Sequence, residues 1–215
     1  MRTSSLVLCL GWLVAACTTP EPSVDPAVPM TLPPAGEGAA PAGEDAPPAP
    51  LPKGSFYDLG FALTNADARP VGLDVHRGHP TMVAMFYASC TQACPLMIGK
   101  VQHILSTLDP DTIAQVRVLL LSIDPEHDTP QALAEAATRH QIDRTRWVLA
   151  RPEPKDVRTL AALLDVRYRA QGEGGFSHTS PITLLDREGQ MVLRQAALTD
   201  PEETMVAHIR ALTTR

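Results

Sequence analysis

A chain of 215 residues with 24 acidic against 18 basic side chains, a net charge of -6 and only 4% aromatic residues has room for one ordinary domain plus extensions. It carries no basic run or aromatic-interleaved basic stripe that could grip phosphates, which excludes nucleic acid as a partner class. Its four cysteines and 21 prolines are unevenly placed, and that placement divides the chain.

Residues 1–16 have the build of an export signal: Arg2 supplies the positive end, Leu6 to Ala16 the apolar stretch, and Val14-Ala15-Ala16 a small-residue cleavage site. The apolar stretch falls short of the about 20 residues a membrane span needs. Val14-Ala15-Ala16-Cys17 resembles a bacterial lipobox, which implies cleavage before Cys17 and acylation of its sulfur. An ordinary secretory signal or an uncleaved anchor would instead leave Cys17 unmodified. Cys9 is lost with the signal, so acylation of Cys17 leaves Cys90 and Cys94 as the free thiols. Residues 17–54 are rich in Pro, Ala, Gly and acid, too poor in large apolar side chains to form a core, and read as a tether. In polyproline form it could reach on the order of 100 Å from a membrane. The expected location is the bacterial cell envelope, with the domain held by lipid on the outer face.

The folded domain is expected over residues 55–215. Phe56 to Leu63 alternates loosely, Asn65-Ala66-Asp67 carries turn chemistry and Pro70-Val71 starts a second short strand, together an N-terminal β-hairpin extension. Met82 to Tyr87 is a continuous apolar run bounded by Gly78-His79-Pro80, the pattern of a buried strand. A helix follows, with Leu96, Met97, Val101, Ile104 and Leu105 at helical spacing, closing near Leu108. Val116 to Ile123 is a second apolar run. Strand, helix and strand with both strands apolar throughout predict a parallel pair in a covered sheet. Thr129-Pro130 opens a helix whose inner side carries Leu133, Ala136, Ala137 and His140. Trp147 to Ala150 is a short strand and Lys155 to Leu164 a helix. Gln171 to His178 reads as a glycine-rich loop that delivers a histidine just before the strand Ile182–Leu185. Asp186 to Gly189 turns into the strand Met191–Leu193, and Pro201 starts a last helix ending near Leu212. The expected class is α/β, a thioredoxin-like fold with a central mixed sheet flanked by helices.

The chemistry concentrates at Cys90-Thr91-Gln92-Ala93-Cys94, where the first central strand meets a helix N-terminus. Unpaired N–H groups and the dipole there favour a thiolate over a free thiol of pKa roughly 8.5. On one helix face, residues four apart have Cβ atoms about 5–6 Å apart, so both sulfurs can converge. That separation suits a structural disulfide, a redox pair and a shared soft metal ion alike.

Three stretches together resemble the signatures of the Sco/SenC family, and the resemblance runs from Ser55 to Arg215. They are Ser89-Cys90-Thr91-Gln92-Ala93-Cys94-Pro95, the stretch Ser122 to Pro130 (Ser-Ile-Asp-Pro-Glu-His-Asp-Thr-Pro), and His178-Thr179 ahead of Leu184-Leu185-Asp186. It implies a thioredoxin-fold, copper-binding protein that helps build the dinuclear (CuA type) copper site of a membrane-bound respiratory oxidase subunit. By that resemblance Cys90, Cys94 and His178 are the copper ligands, and Asp124 supports the site or meets the client; a plain turn or cap role for Asp124 stands beside that. Two thiolates and an imidazole suit Cu(I) and tolerate Cu(II), with zinc the competing metal. The family often has Pro and an acid after the first cysteine, where this chain has Thr91 and Gln92. That removes a negative charge near the thiols.

The alternative function is thiol-disulfide exchange, with Cys90 attacking a client disulfide and Cys94 resolving the mixed disulfide. Peroxide-reducing relatives carry Thr three residues before the reactive cysteine; Tyr87 stands here. A purely structural binding module leaves the histidine-bearing loop unexplained. His127 reads as a surface group. So do His76, His79, His103, His140 and His208, which have no partner at metal-site spacing.

Overall fold

The computed structural model describes residues 50–170 and 176–214, all within the unit Pro48–Arg215. The export signal, Cys17, the tether up to residue 49 and the glycine-rich stretch 171–175 lie outside the described residues. Seven strands form one sheet in the order β2-β1-β5-β4-β3-β8-β9. At its centre β3 (Thr81–Phe86), β4 (Arg117–Ser122) and β5 (Trp147–Pro152) run parallel. The antiparallel pair β1 (Leu63–Asn65) and β2 (Pro70–Val71) extends one side; β8 (Ile182–Leu185) and β9 (Met191–Gln195), also antiparallel, extend the other. The sheet is therefore mixed, as its sequence pattern predicts.

All of β3 and all but the first residue of β4 are buried, which is why these segments read as unbroken apolar runs rather than alternating ones. Met82, Phe86, Leu119 and Leu120 are almost wholly removed from water, and each such side chain contributes roughly 1.5–3 kcal/mol to stability. The parallel register sets Phe86 opposite Ser122, and the Ile123 N–H extends it by donating to the Phe86 carbonyl at 2.8 Å. The loops after β3 and β4 thus leave the sheet side by side, at the edge where such folds place their sites.

Among the described residues five α-helices flank the sheet: α1 (Ala93–Ser106), α2 (Pro110–Gln115), α3 (Pro130–Arg139), α4 (Val157–Leu163) and α5 (Glu202–Thr213). α3 starts as predicted, with the Thr129 hydroxyl accepting from the Ala132 N–H and Pro130 in the first turn. The connection between β3 and β4 holds two helices where one is expected. The Asp109 carboxylate caps the second by accepting the Thr112 N–H at 2.9 Å, and Pro110 cannot continue the first. On α1 the inward face is Met97, Ile98, Val101, Ile104 and Leu105, whereas Leu96 is 67% exposed.

The leading hairpin exists only in its second half. Phe56–Leu59 is a 3-10 helix, capped by the Ser55 hydroxyl and stopped by Gly60 in the left-handed region at φ 67°. Phe56 and Tyr57 are both buried, which consecutive residues of a strand with one covered face would not be. The turn to β2 is built by Asn65, whose side-chain oxygen accepts from the Asp67 and Arg69 N–H groups.

His76 does not lie on a solvated face. It is 8% exposed, and its Nε2–H donates to the Val118 carbonyl at 3.2 Å. Burial, with some help from nearby Arg117 and His79, lowers its pKa to about 4 even though that hydrogen bond pulls the other way. Below about pH 6.5 the unfolded chain takes up a proton that the folded chain refuses, so His76 destabilises the fold progressively down to about pH 4 and no further. The size is on the order of 3 kcal/mol. Urea unfolding between pH 7 and 4 should show a loss of stability that is visibly smaller in His76→Gln; parallel pH profiles for the two proteins would contradict this burial.

Candidate metal centre

The loop that carries Cys90 is tied down from below. Both carboxylate oxygens of Asp128 accept from the Ala88 N–H, at 3.0 and 3.2 Å, and one also accepts from the Ser122 hydroxyl at 2.6 Å. Arg139 donates to the Ala88 carbonyl at 2.9 Å, and the Cys90 N–H donates to the Tyr87 carbonyl at 3.1 Å. Asp128 is only 2% exposed, and burial raises its pKa. This residue, not Asp124, reaches the cysteine loop. Asp124 is buried too, but its carboxylate pairs with the exposed His127 at 2.9 Å and its carbonyl closes the turn by accepting from the His127 and Asp128 N–H groups. The sequence offered one signal for Asp128: a second acid four residues after Asp124 in the same stretch.

The two sulfurs converge by a different route from the expected one. Only Cys94 is helical; Cys90 sits in the loop ahead of α1. Gln92, at the N-cap position, gives no side-chain cap. The Cys90 sulfur takes that place, accepting the Cys94 N–H at 3.3 Å. Both cysteines are free thiols, and their environments oppose each other. Burial pushes the Cys90 thiol up, but hydrogen bonding from the Cys94 thiol and from the Cys94 and Gln92 backbone outweighs it, leaving the pKa below its ordinary value. Cys94 is raised, first by burial and then because its proton is engaged by Cys90. Of the two, Cys90 is therefore the sulfur that gives up its proton more readily, and the thiolate is the nucleophilic form.

His178 arrives on a strand rather than a loop. β7 (Phe176–His178) pairs antiparallel with β6 (Tyr168–Ala170), setting His178 opposite Tyr168 in a two-stranded ribbon separate from the main sheet. Its Nδ1–H donates to the Thr179 carbonyl at 2.9 Å. That fixes the tautomer and leaves the Nε2 lone pair facing the Cys94 sulfur at 3.6 Å. Tyr87 closes the arrangement. Its ring stands edge-on to Phe176 and His178, with centroids 5.3 and 5.8 Å away. An open cleft of about 360 Å³ over Cys90 is bordered by Tyr87, Gln92, Phe176 and His178.

One ligand atom from each of Cys90, Cys94 and His178 lies within 4.8 Å of the others. A sulfur and a nitrogen bound to one ion at about 2.3 and 2.0–2.1 Å, at tetrahedral to trigonal angles, stand roughly 3.6–3.8 Å apart. The observed 3.6 Å between Cys94 and His178 falls within that range, so this pair of donors already stands at the spacing of two ligands on one ion. Two sulfurs and one nitrogen are a soft set. The remaining histidines do not join them: His103 and His208 are exposed, and His79 and His140 are half-buried.

A mixed central sheet with flanking helices, two cysteines where β3 gives way to α1 and a histidine folded back upon them define a thioredoxin-like domain with a three-donor site. The sequence profile of the SCO1/SenC family matches residues 51–214, and the chain belongs to that family. It is 23% identical over 135 residues to the SCO1 protein homolog of Bacillus subtilis, covering 61% of this chain and 69% of that one. Its fold superposes on Bradyrhizobium japonicum ScoI with copper bound at a TM-score of 0.59 and 22% identity, covering 71% of this chain and 96% of that one. BsSco, described as a member of the Sco family of cytochrome c oxidase assembly proteins with a disulfide switch, superposes at 0.61 and 20% identity, covering 72% and 91%.

The opposed thiol environments give a direct expectation. At pH 7 iodoacetamide should label Cys90 at least about tenfold faster than Cys94, since the thiolate is the nucleophile. Equal labelling of the two peptides by mass spectrometry would contradict the asymmetry.

Proposed function

We propose that the domain carries one copper ion between Cys90, Cys94 and His178 and hands it to the copper site, of the dinuclear CuA type, of a membrane-bound respiratory oxidase subunit. The observation that carries this is the imidazole Nε2 held 3.6 Å from the Cys94 sulfur with its other nitrogen already committed to the Thr179 carbonyl. A redox pair alone has no use for a third, pre-oriented donor. Membership of the SCO1/SenC family and the copper bound to the Bradyrhizobium japonicum relative support copper over zinc. Copper is cargo here. Cys90 and Cys94 meet it as thiolates, releasing the proton that Cys94 holds near neutrality, and His178 meets it neutral. Each ligand can let go in turn to a client cysteine arriving through the cleft above Cys90. Acylated Cys17 and the Pro-rich segment after it would keep the domain at the outer face of a bacterial membrane while letting it search for its client. Asp124, in the turn after β4, would support this face by holding the exposed His127 rather than bind the metal.

The asymmetry of the thiols favours a second activity at the same site. The Cys90 thiolate attacks one sulfur of a client disulfide, forming a mixed disulfide and releasing the other client sulfur as a thiolate. Cys94 then loses its proton and attacks Cys90, forming the Cys90–Cys94 disulfide and returning the second client thiol. Two electrons pass to the client, whose own copper ligands are thereby made ready.

Titration should show one copper bound by the reduced domain and none by the oxidised one. His178→Ala should weaken copper binding by more than the about 10–100-fold that loss of a supporting residue costs, while Cys90–Cys94 disulfide exchange stays near wild type. Affinity should also rise with pH through the neutral range as thiol protons are displaced. Unchanged affinity in His178→Ala would remove the carrier reading and leave the redox one.

A further inference from the structure

We propose that Tyr87 is a positioning residue that latches the histidine-bearing ribbon onto the thiols and so decides whether the site has three donors or two. The proposal deepens the copper-carrier function above and rests on it. The ribbon β6–β7 is not hydrogen-bonded into the seven-stranded sheet, so no ladder sets the distance from His178 to Cys94. Tyr87 lies at the end of β3, three residues before Cys90, and is 8% exposed. Its hydroxyl engages both backbone groups of Phe176: it donates to the carbonyl at 3.4 Å and accepts from the N–H at 3.3 Å. These are long bonds, but there are two on one residue, and they hold β7 by its backbone irrespective of its side chains. The ring adds edge-on contacts to Phe176 and to His178 itself. One rigid side chain, placed directly after the core strand and just ahead of the cysteine loop, thus holds the strand of the histidine.

Phenylalanine at this position keeps the ring and loses only the hydroxyl. With the latch gone, β7 is free to swing, and the imidazole spends part of its time away from the sulfurs. Its contribution to binding falls by the fraction of time it is absent, because a donor that must be collected on binding is worth less than one already in place.

The test uses the reduced protein, wild type beside Tyr87→Phe, His178→Ala and the double variant, with circular dichroism to show that each is folded. Copper affinity should fall about 10–100-fold in Tyr87→Phe, and the double variant should bind no more weakly than His178→Ala. A further loss in the double variant, or an unchanged affinity in Tyr87→Phe, overturns the latch; the further loss would place the effect on Cys90 instead. A second readout needs no metal. The Phe176 amide should exchange its hydrogen roughly two- to tenfold faster in metal-free Tyr87→Phe, as loss of one such hydrogen bond allows, and equal exchange rates overturn the proposal. If wild type and His178→Ala bind copper equally, the carrier function fails while the amide measurement still tests the latch.

Discussion

The site depends on one close approach, the 3.6 Å between His178 Nε2 and the Cys94 sulfur, made by residues 84 positions apart, one on helix α1 and the other on the small β6–β7 ribbon. Each partner is held from a different direction. Cys94 is fixed by α1, whose inward face is fully buried, and by the loop that Asp128 and Arg139 clamp through Ala88. His178 is fixed by its neighbour Thr179 on one side and by the Tyr87 contacts on the other. The parallel register of β3 and β4 matters because it brings these clamps together: Ser122, at the end of β4 and level with Phe86, donates its hydroxyl hydrogen bond to the Asp128 carboxylate.

The environments of the two cysteines pull their thiols in opposite directions rather than activating both. Cys90 lies where the first N–H groups of α1 point, and its sulfur takes the role that a capping side chain fills elsewhere in this protein, at Asp109 and Thr129. Cys94, one turn deeper, pays the desolvation penalty. A nearby buried carboxylate, Asp128, adds to that penalty. The result is a pair of unlike thiols, Cys90 the easier and Cys94 the harder to deprotonate. The copper carriage and thiol exchange proposed above would both draw on this single geometry.

The elements of this fold were legible wherever burial imposed a period on the sequence. The unbroken runs at β3 and β4, the Thr129-Pro130 helix start and the turn at Asp186–Gly189 all read correctly, because each is set by local chemistry. Phe56–Leu59 did not, since its consecutive buried aromatics answer to a distant contact: the Phe56 N–H donates to the Gly189 carbonyl. Leu96 fits the helical period of α1 yet faces solvent, and His76 looks like a surface residue yet lies buried beside Val118. Periodicity places a residue on a face; it cannot say how far the neighbouring element extends. His178 shows the same limit at the site. Spacing alone gave it no partner, and only the ordered trio of family signatures joined it to the cysteines. Tyr87 entered the sequence argument merely as the residue that peroxide-reducing relatives lack, because a positioning role depends on what lies across the cleft.

X-ray absorption at the copper edge, on the Cu(I)-loaded domain with both cysteines reduced, tests the three-donor pocket most directly. The expected spectrum has two sulfurs and one imidazole nitrogen in the first shell, with the imidazole scattering lost in His178→Ala. A first shell of sulfur alone, or a spectrum that His178→Ala leaves unchanged, would contradict it.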